Sequence, residues 1–137
     1  MHTAYLALGT NLGDKDRNLQ LALEKIEESV GAISAVSSVH VSDPWGYQSE
    51  NRFLNQVVKV ETELPPLELL KAVQAIETQM GRTRKRSVRY QDRIIDIDII
   101  LYDDVIYQSE ELTLPHPLYR QRPFVWEPLE EILSNGK

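Results

Sequence analysis

Two aspartates separated by one isoleucine, Asp96 and Asp98, are the residues of this sequence best suited to chemistry. The isoleucines around them, from position 94 to position 100, are typical of a central, buried β-strand. Because side chains alternate along a strand, both carboxylates would project from one face, about 6.5–7 Å apart. Two negative charges on such a strand are costly unless positive charge offsets them. A pair of divalent cations that also contact phosphates would do so.

A dense group of basic residues directly precedes this strand. Six of the 15 lysines and arginines fall in this short stretch, namely Arg82, Arg84, Lys85, Arg86, Arg89 and Arg93. Guanidinium groups bind phosphate oxygens, while carboxylate-bound metals neutralise bridging phosphate oxygens. The combination favours metal-assisted phosphoryl transfer. Each half also has a simpler explanation, since the aspartates could pair with arginines or lie on a solvated face, and the basic residues could form a surface patch.

Other polar and aromatic residues are candidates for ligand contacts. His116 lies between two prolines, with Arg122 close behind, and could contact a phosphate or a nucleotide, although a histidine in a turn is more often structural. Trp45 and Phe53 could stack on a flat ring or simply pack in the core. Asn55 is unusual in a predicted strand because a buried amide needs hydrogen-bond partners, which a heterocycle or a backbone group could provide.

The composition restricts the class of protein. The chain has 137 residues, of which 42% are hydrophobic and 26% charged, as in an ordinary globular protein, and we expect a single domain spanning 1–137. The net charge of −6 argues against general nucleic-acid binding. The absence of cysteine excludes disulfides and thiolate-bound zinc. With neither a signal peptide nor a membrane span in the sequence, we expect a cytoplasmic protein without membrane partners.

The elements that position these residues follow from hydrophobic periodicity and from glycine and proline. Strands are predicted at 3–9, 33–41, 53–62, 94–102 and 105–107. One helix is capped by Asp14 and stopped by Gly31, and a second is opened by Pro65 and Pro66 and ended by Gly81. A rigid turn at 114–117 and a partly helical segment at 118–133 follow. The order β-α-β-β-α-β predicts an α+β ferredoxin-like sandwich, an antiparallel sheet with two helices on one face.

Neither the Gly-x-x-x-x-Gly-Lys-Ser/Thr nor the Gly-x-Gly-x-x-Gly nucleotide motif occurs. The motifs present instead resemble the 6-hydroxymethyl-7,8-dihydropterin pyrophosphokinase family. In chain order they are Leu8-Gly9-Thr10-Asn11-Leu12-Gly13-Asp14, Pro44-Trp45-Gly46, Phe53-Leu54-Asn55, Ile76-Glu77, Gly81-Arg82-x-Arg84-Lys85, Arg93-x-x-Asp96-Ile97-Asp98-Ile99, Leu114-Pro115-His116-Pro117 and Arg122-Pro123-Phe124-Val125. The resemblance covers nearly the whole chain. It implies a ferredoxin-like fold and ATP-dependent transfer of pyrophosphate to the pterin hydroxymethyl oxygen, a step of folate biosynthesis that releases AMP.

The resemblance also implies roles for individual residues. Asp96 and Asp98 would hold two Mg²⁺ ions that bridge the ATP phosphates. Arg82 and Arg93 would act on the phosphates, with Arg84 and Lys85 in the same loop. The residues that would line the nucleotide site are Gln74, Glu77, Ile99, Leu112, Thr113, His116 and Arg122. The residues that would bind the pterin are the ring-stacking pair Phe53 and Phe124, together with Asn55, Ser42, Asp43 and Trp45.

Two other functions fit the same order of elements. An RNA-binding module would require alternating aromatic residues on the central strands and a basic surface, whereas this chain has Asp96 and Asp98 there and a net charge of −6. A regulatory small-molecule-binding domain without chemistry would leave the aspartate pair unexplained. The sequence therefore favours an enzyme with small-molecule substrates, ATP and a pterin, with a monomer as the default oligomeric state.

Overall fold

The computed structural model describes residues 1–43, 51–81 and 94–135. Five of the predicted site residues lie outside these ranges, namely Trp45, Arg82, Arg84, Lys85 and Arg93. The elements of the described part are β1 (His2–Thr10), α1 (Lys15–Ser29), β2 (Gly31–Val36), β3 (His40–Ser42), β4 (Phe53–Thr62), α2 (Pro66–Gln79), β5 (Asp96–Tyr102), β6 (Tyr107–Gln108), β7 (Thr113–Leu114) and α3 (Pro123–Asn135). No helix in these ranges is long and apolar enough to cross a membrane.

The main sheet has the strand order β2-β4-β1-β5, with β3 also paired to β4, and its pairings are antiparallel. Helices α1 and α2 pack on one face, where Leu19, Ile26, Val73 and Ile76 join the buried side chains of the strands. This arrangement confirms the predicted ferredoxin-like α+β fold. The core therefore lies mainly between the sheet and these two helices.

The third helix covers the opposite face of the sheet. Val125, Leu129 and Ile132 of α3 form a second buried cluster with side chains from the strands, including Val57 and Ile100. The sequence predicted only a partly helical segment at 118–133. An amphipathic helix forms here because its apolar side is buried against the face of the sheet that α1 and α2 do not cover. This helix covers part of the sheet face that carries Asp96 and Asp98.

Helix α1 begins and ends where Asp14 and Gly31 predicted. The Asp14 side chain accepts a hydrogen bond of 3.1 Å from the Arg17 backbone N–H and so caps the helix. The helix ends before Gly31, which already belongs to β2. A Cβ atom on Gly31 would lie 2.0 Å from the carbonyl oxygen of Glu61. Glycine is thus required at this position for the close approach of β2 to β4.

The prediction of one continuous strand over 33–41 was wrong. Two strands form, because the chain is interrupted at Ser37, which is buried and exchanges hydrogen bonds with Val57. The interruption shifts the alternation, so that Val39 and Val41 are exposed while His40 and Ser42 are half-buried. The shifted register turns two polar side chains toward the face that carries the aspartates.

Other boundaries differ by small amounts. β1 continues through Gly9 to Thr10, and β5 begins at Asp96 rather than at 94. The short strand expected at 105–107 is instead β6, which pairs with β7. In the first turn of α2 Leu69 is fully buried, whereas Leu70 is only half-buried.

Asp103 gives the protein a carboxylate whose ionisation stabilises the fold. Its side chain accepts hydrogen bonds from the Thr3 backbone N–H (2.7 Å) and from His2 Nδ1 (2.8 Å), and these contacts, the Thr3 bond foremost, lower the pKa of Asp103. Because the pKa is lowered on folding, the stabilisation is complete above the ordinary Asp pKa of about 3.9 and is lost as the pH falls through the folded value.

We therefore expect Asp103→Asn to lower the free energy of unfolding at pH 7, by less than about 1 kcal/mol because the pair is partly exposed. The difference from the wild type should shrink as the pH falls below about 4. Urea unfolding at pH 7 and pH 3 measures both quantities, with Asp104→Asn, an exposed neighbour, as the control. A difference that is the same at both pH values would contradict the assignment.

Candidate active site

Strand pairing brings residues from distant parts of the chain together on the sheet face that α3 partly covers. Gly9 lies in the middle, paired with Asn55 of β4 on one side and with Asp96 of β5 on the other. In the next row, Ala7 lies between Val57 and Asp98. Asn55 and the two aspartates thus lie on strands that flank β1, with Gly9 between Asn55 and Asp96.

The two aspartates lie on this face as predicted. Both are half-buried and alternate with Ile97 and Ile99, which are each 4% exposed and belong to the core beneath α1 and α2. The isoleucines hold β5 in the core, and the carboxylates project from the opposite side. The arrangement presents two negative charges to a ligand at the surface of a rigid strand.

Two contacts fix the backbone of β5 from outside the sheet. Glu77 of α2 is 1% exposed, and its Oε2 accepts a hydrogen bond of 2.7 Å from the N–H of Ile97, the residue between the aspartates. The N–H of His116 donates to the carbonyl of Ile100 at 3.0 Å. The Glu77 carboxylate therefore positions the aspartate strand, a role that the sequence did not suggest. Its predicted contact with a nucleotide stays a prediction.

His116 follows the cis peptide bond between Leu114 and Pro115 and is half-buried. Burial, together with the positive charge of Arg122, lowers the pKa of His116 from its ordinary value, and Asp96 opposes the shift. His116 Nδ1 accepts a hydrogen bond of 3.3 Å from the Leu118 N–H, which leaves Nε2 as the protonated nitrogen of the neutral ring. At neutral pH this side chain is an uncharged donor close to Asp96.

The remaining residues predicted to bind the nucleotide lie on elements that pack against β5. Ile99 and Leu112 share the core beneath the sheet and are less than a tenth exposed, so their side chains serve mainly the core. Gln74 on α2, Thr113 on β7 and Arg122 just before α3 are half-buried. The fold therefore places Gln74 and Thr113 on elements that contact β5, and Arg122 at the start of α3.

Asn55 is held in one orientation. Its side chain is nearly buried, at 5% exposed, and Nδ2 donates to the His40 carbonyl at 3.1 Å and to Ser42 Oγ at 2.8 Å. Both amide hydrogens are thus used by β3. The carbonyl Oδ1 lies 3.5 Å from the position of a Cβ on Gly9 and is directed over that strand. Among the described residues Oδ1 accepts no hydrogen bond, and such an acceptor suits an N–H or NH₂ donor of a ligand.

Phe53 and Phe124 lie on the same side of the sheet as Asn55. Phe53 Cδ1 would be 3.5 Å from a Cβ on Gly9, and Phe124 packs at the start of α3 against the cluster that contains Val57. The sequence identified Gly9 only as the end of a strand. A glycine inside a strand is the signal for such a close approach, because it leaves space above the backbone.

Asp43 and Arg52 flank the 44–50 segment on its two sides. The Arg52 Nε lies 3.0 Å from Asp43 Oδ1, and both side chains are well exposed. Lys15 Nζ donates to the Arg52 carbonyl at 3.1 Å, which connects this point to the beginning of α1. The predicted ligand residue Asp43 therefore lies at the border of the site, in a surface ion pair.

The donor set fits a magnesium site completed by a substrate. In the part of the chain that the structure describes, no group of three or more His, Cys, Asp or Glu residues is arranged to hold a metal alone. Asp96 and Asp98 place two hard carboxylate groups on one face. Mg²⁺ is commonly bound by one or two carboxylates together with substrate phosphates and water. The two aspartates are consistent with that mode of binding.

Solved structures share this architecture. A superposition on an HPPK-DHPS structure in complex with substrates includes 96% of this chain, with a TM-score of 0.75 and 16% sequence identity. For a wild-type Plasmodium falciparum HPPK-DHPS structure the TM-score is 0.75 at 17% identity. The chain spans about 40% of the length of each of those two proteins. At this identity the likeness demonstrates the fold.

Sequence comparison identifies the family. The chain is 45% identical over 136 residues to a protein of Porphyromonas gingivalis named 2-amino-4-hydroxy-6-hydroxymethyldihydropteridine pyrophosphokinase, covering 96% of this chain and 91% of that protein. A Bacillus subtilis protein of the same name is 41% identical over 130 residues, covering 94% of this chain and 77% of that one. The family model for 7,8-dihydro-6-hydroxymethylpterin-pyrophosphokinase matches residues 5–134. With its aspartate strand and its pairing of Asn55, Gly9 and Asp96, this chain belongs to the 7,8-dihydro-6-hydroxymethylpterin-pyrophosphokinase family.

Proposed function

We propose that this chain transfers pyrophosphate from ATP to 6-hydroxymethyl-7,8-dihydropterin, giving AMP and the pterin diphosphate in folate biosynthesis. Family membership supports the reaction. The observation that carries the assignment is the row Asn55–Gly9–Asp96. It puts the oriented amide acceptor of Asn55 and the carboxylates of β5 on one sheet face, on either side of β1. A ring with amino and N–H donors bound at the amide would lie on the same sheet face as the carboxylates, with Gly9 between them.

In this reaction the hydroxymethyl oxygen attacks the β-phosphorus of ATP. A bond forms between that oxygen and the phosphorus, the bond to the α,β-bridging oxygen breaks, AMP leaves, and the hydroxyl proton goes to solvent. Such a transfer depends on alignment and charge neutralisation more than on a strong base. The architecture of the site fits this requirement, since its groups bind and orient.

Asp96 and Asp98 would hold Mg²⁺, with two ions expected. The metal, when bound, supplies neutralisation of the phosphate charge. The half-buried position of both carboxylates on a strand fixed by Glu77 gives them little freedom to reorganise. Arg82 and Arg93 are proposed to act on the phosphates, with Arg84 and Lys85 in the same segment.

The pterin is proposed to stack between Phe53 and Phe124 and to donate to Asn55 Oδ1. Ser42, Asp43 and Trp45 would complete its contacts. For the nucleotide, neutral His116 offers an Nε2 donor that can bind a phosphate oxygen, beside the permanent charge of Arg122. Gln74, Glu77, Ile99, Leu112 and Thr113 complete the proposed nucleotide set. A single-domain, monomeric, cytoplasmic protein remains part of the proposal.

The test is a coupled assay for AMP with the purified wild-type protein, ATP, Mg²⁺ and the hydroxymethyl pterin. AMP should form only when the pterin and the metal are both present, and the pterin diphosphate should accumulate in equal amount. A folded protein that gives no pterin-dependent AMP would contradict the proposal. Pterin-independent hydrolysis of ATP alone would point instead to a different phosphoryl acceptor.

A further inference from the structure

Glu131, on the second half of α3, accepts three hydrogen bonds from Ser38 and from His40, the first residue of β3. Its carboxylate accepts from the Ser38 N–H (2.7 Å), from Ser38 Oγ (2.7 Å) and from His40 Nε2 (3.2 Å). The Ser38 bonds, that of the side chain first, and the contact with His40 lower the pKa of Glu131. The carboxylate is therefore ionised at neutral pH, a pure acceptor that matches the donors around it.

The segment that Glu131 binds is attached to the sheet. Ser37 donates its backbone N–H to the Val57 carbonyl at 2.9 Å, and Ser37 Oγ accepts from the Val57 N–H at 2.9 Å. Immediately after it, β3 pairs with β4 so that His40 faces Asn55 and Ser42 faces Phe53. Glu131 is thus bonded to the short stretch of chain that orients Asn55, because the His40 carbonyl and Ser42 Oγ accept both hydrogens of the Asn55 amide.

The same helix carries Phe124 in its first turn. One side of the proposed ring site is therefore built on α3, and the other side on β3 and β4. Apolar packing holds α3 on the sheet through Val125, Leu129 and Ile132, but it is non-directional and by itself leaves freedom along the sheet surface. A charge-assisted, directional contact at one point removes that freedom.

We propose that Glu131 is a positioning residue for pterin binding. It sets the location of α3, which carries Phe124, relative to Asn55 on β4 and Ser42 on β3. The inference rests on the proposed function. It predicts that loss of the Glu131 acceptor weakens pterin binding specifically. In the described part of the chain the hydrogen bonds of Glu131 are with Ser38 and His40, whereas Glu77 and His116 bond to β5, so ATP binding should be largely retained.

The principal test compares Glu131→Gln with Glu130→Gln, the same change at the exposed neighbour on the same helix. Glutamine keeps the size of the side chain but directs an NH₂ group either at the Ser38 N–H or at Ser38 Oγ and His40 Nε2, so at least one of the three bonds is lost and the charge that strengthens all three is removed. We expect the KM for the pterin at saturating ATP to rise about tenfold in Glu131→Gln. The Kd for ATP alone, measured by calorimetry, should stay within about twofold of the wild type. Glu130→Gln should match the wild type in both.

A second, milder variant keeps the inference testable if Glu131→Gln does not fold. Ser38→Ala removes only the Oγ donor and should raise the pterin KM by about two- to threefold with ATP binding unchanged. When both variants fold, the double variant should be no worse than Glu131→Gln alone, because both changes act on one contact.

A wild-type pterin KM in folded Glu131→Gln, or in Ser38→Ala if that alone folds, would overturn the inference. An equal loss of ATP binding would also overturn it, because that result describes general loosening of the fold. An inactive wild-type protein would instead contradict the proposed function, which the same assay reports separately.

Discussion

Replacing Asp96 or Asp98 with asparagine is expected to reduce pterin-dependent AMP formation by at least about a hundredfold in each case, since metal-held charge stabilisation is worth several kcal/mol in a transition state. Asparagine preserves the size of the side chain but removes the charge that attracts a divalent cation. Both aspartates are half-buried on a strand packed by Ile97 and Ile99, so an asparagine would lie in the same place without the charge. The loss should fall mainly on kcat.

The measurement is steady-state AMP formation at several Mg²⁺ concentrations, with circular dichroism to verify folding. Asp104→Asn is the matched control, because Asp104 is an exposed aspartate shortly after the same strand. It should keep wild-type activity. Partial recovery of an aspartate variant at high Mg²⁺ would support the metal role. A folded Asp96→Asn and Asp98→Asn pair with wild-type turnover would exclude it.

Replacing Asn55 with alanine should raise the KM for the pterin by about 10- to 100-fold, because a buried, oriented acceptor is worth roughly 1–3 kcal/mol to a ligand that donates to it. The Asn55 amide is 5% exposed, and its Nδ2 is occupied by the His40 carbonyl and Ser42 Oγ. Its Oδ1 is therefore the group offered to the ring. ATP binding should be unaffected, since the described residues Glu77 and His116 of the proposed nucleotide set bond to β5 and not to β4.

Alanine at position 55 also removes two structural hydrogen bonds, so a stability control is needed. Thr62→Val serves this purpose, because Thr62 lies at the far end of the same strand and its Oγ1 donates to the Val30 carbonyl at 2.7 Å. It should lower the melting temperature while leaving the pterin KM unchanged. Equal pterin KM values in Asn55→Ala and the wild type would show that the amide serves the strand pairing alone.

Predictions that depended on short-range patterns were confirmed by the fold. The alternation of aspartate and isoleucine in β5 was sufficient to predict the strand and the shared face of Asp96 and Asp98, because side-chain direction alternates in any strand. The Asp14 cap likewise depends on atoms only three residues apart. The order of strands and helices followed from periodicity, and with it the ferredoxin-like fold.

Predictions failed where a distant segment determined the local structure. The sequence predicted a continuous strand over 33–41. In the structure the hydrogen bonds between Ser37 and Val57 interrupt it and reverse which of the following side chains are exposed. The prediction of a partly helical segment at 118–133 was confirmed by α3, but the sequence did not show that the second face of the sheet would bury its apolar side chains. In the β2–β3 segment, hydrogen bonds to another element outweighed local preference.

The sequence by itself thus determined which residues carry charge, where the strands and helices run and, through its motifs, which family the chain belongs to. The tertiary structure alone decided which of those residues meet. Antiparallel register placed Gly9 between Asn55 and Asp96, although 40 or more positions separate each pair along the chain. The buried carboxylate of Glu77 reached Ile97 from another element, and Glu131 reached Ser38 and His40 in the same way. Such contacts depend on register and helix docking, which are fixed by the burial of the whole sheet and leave no local signal in the sequence.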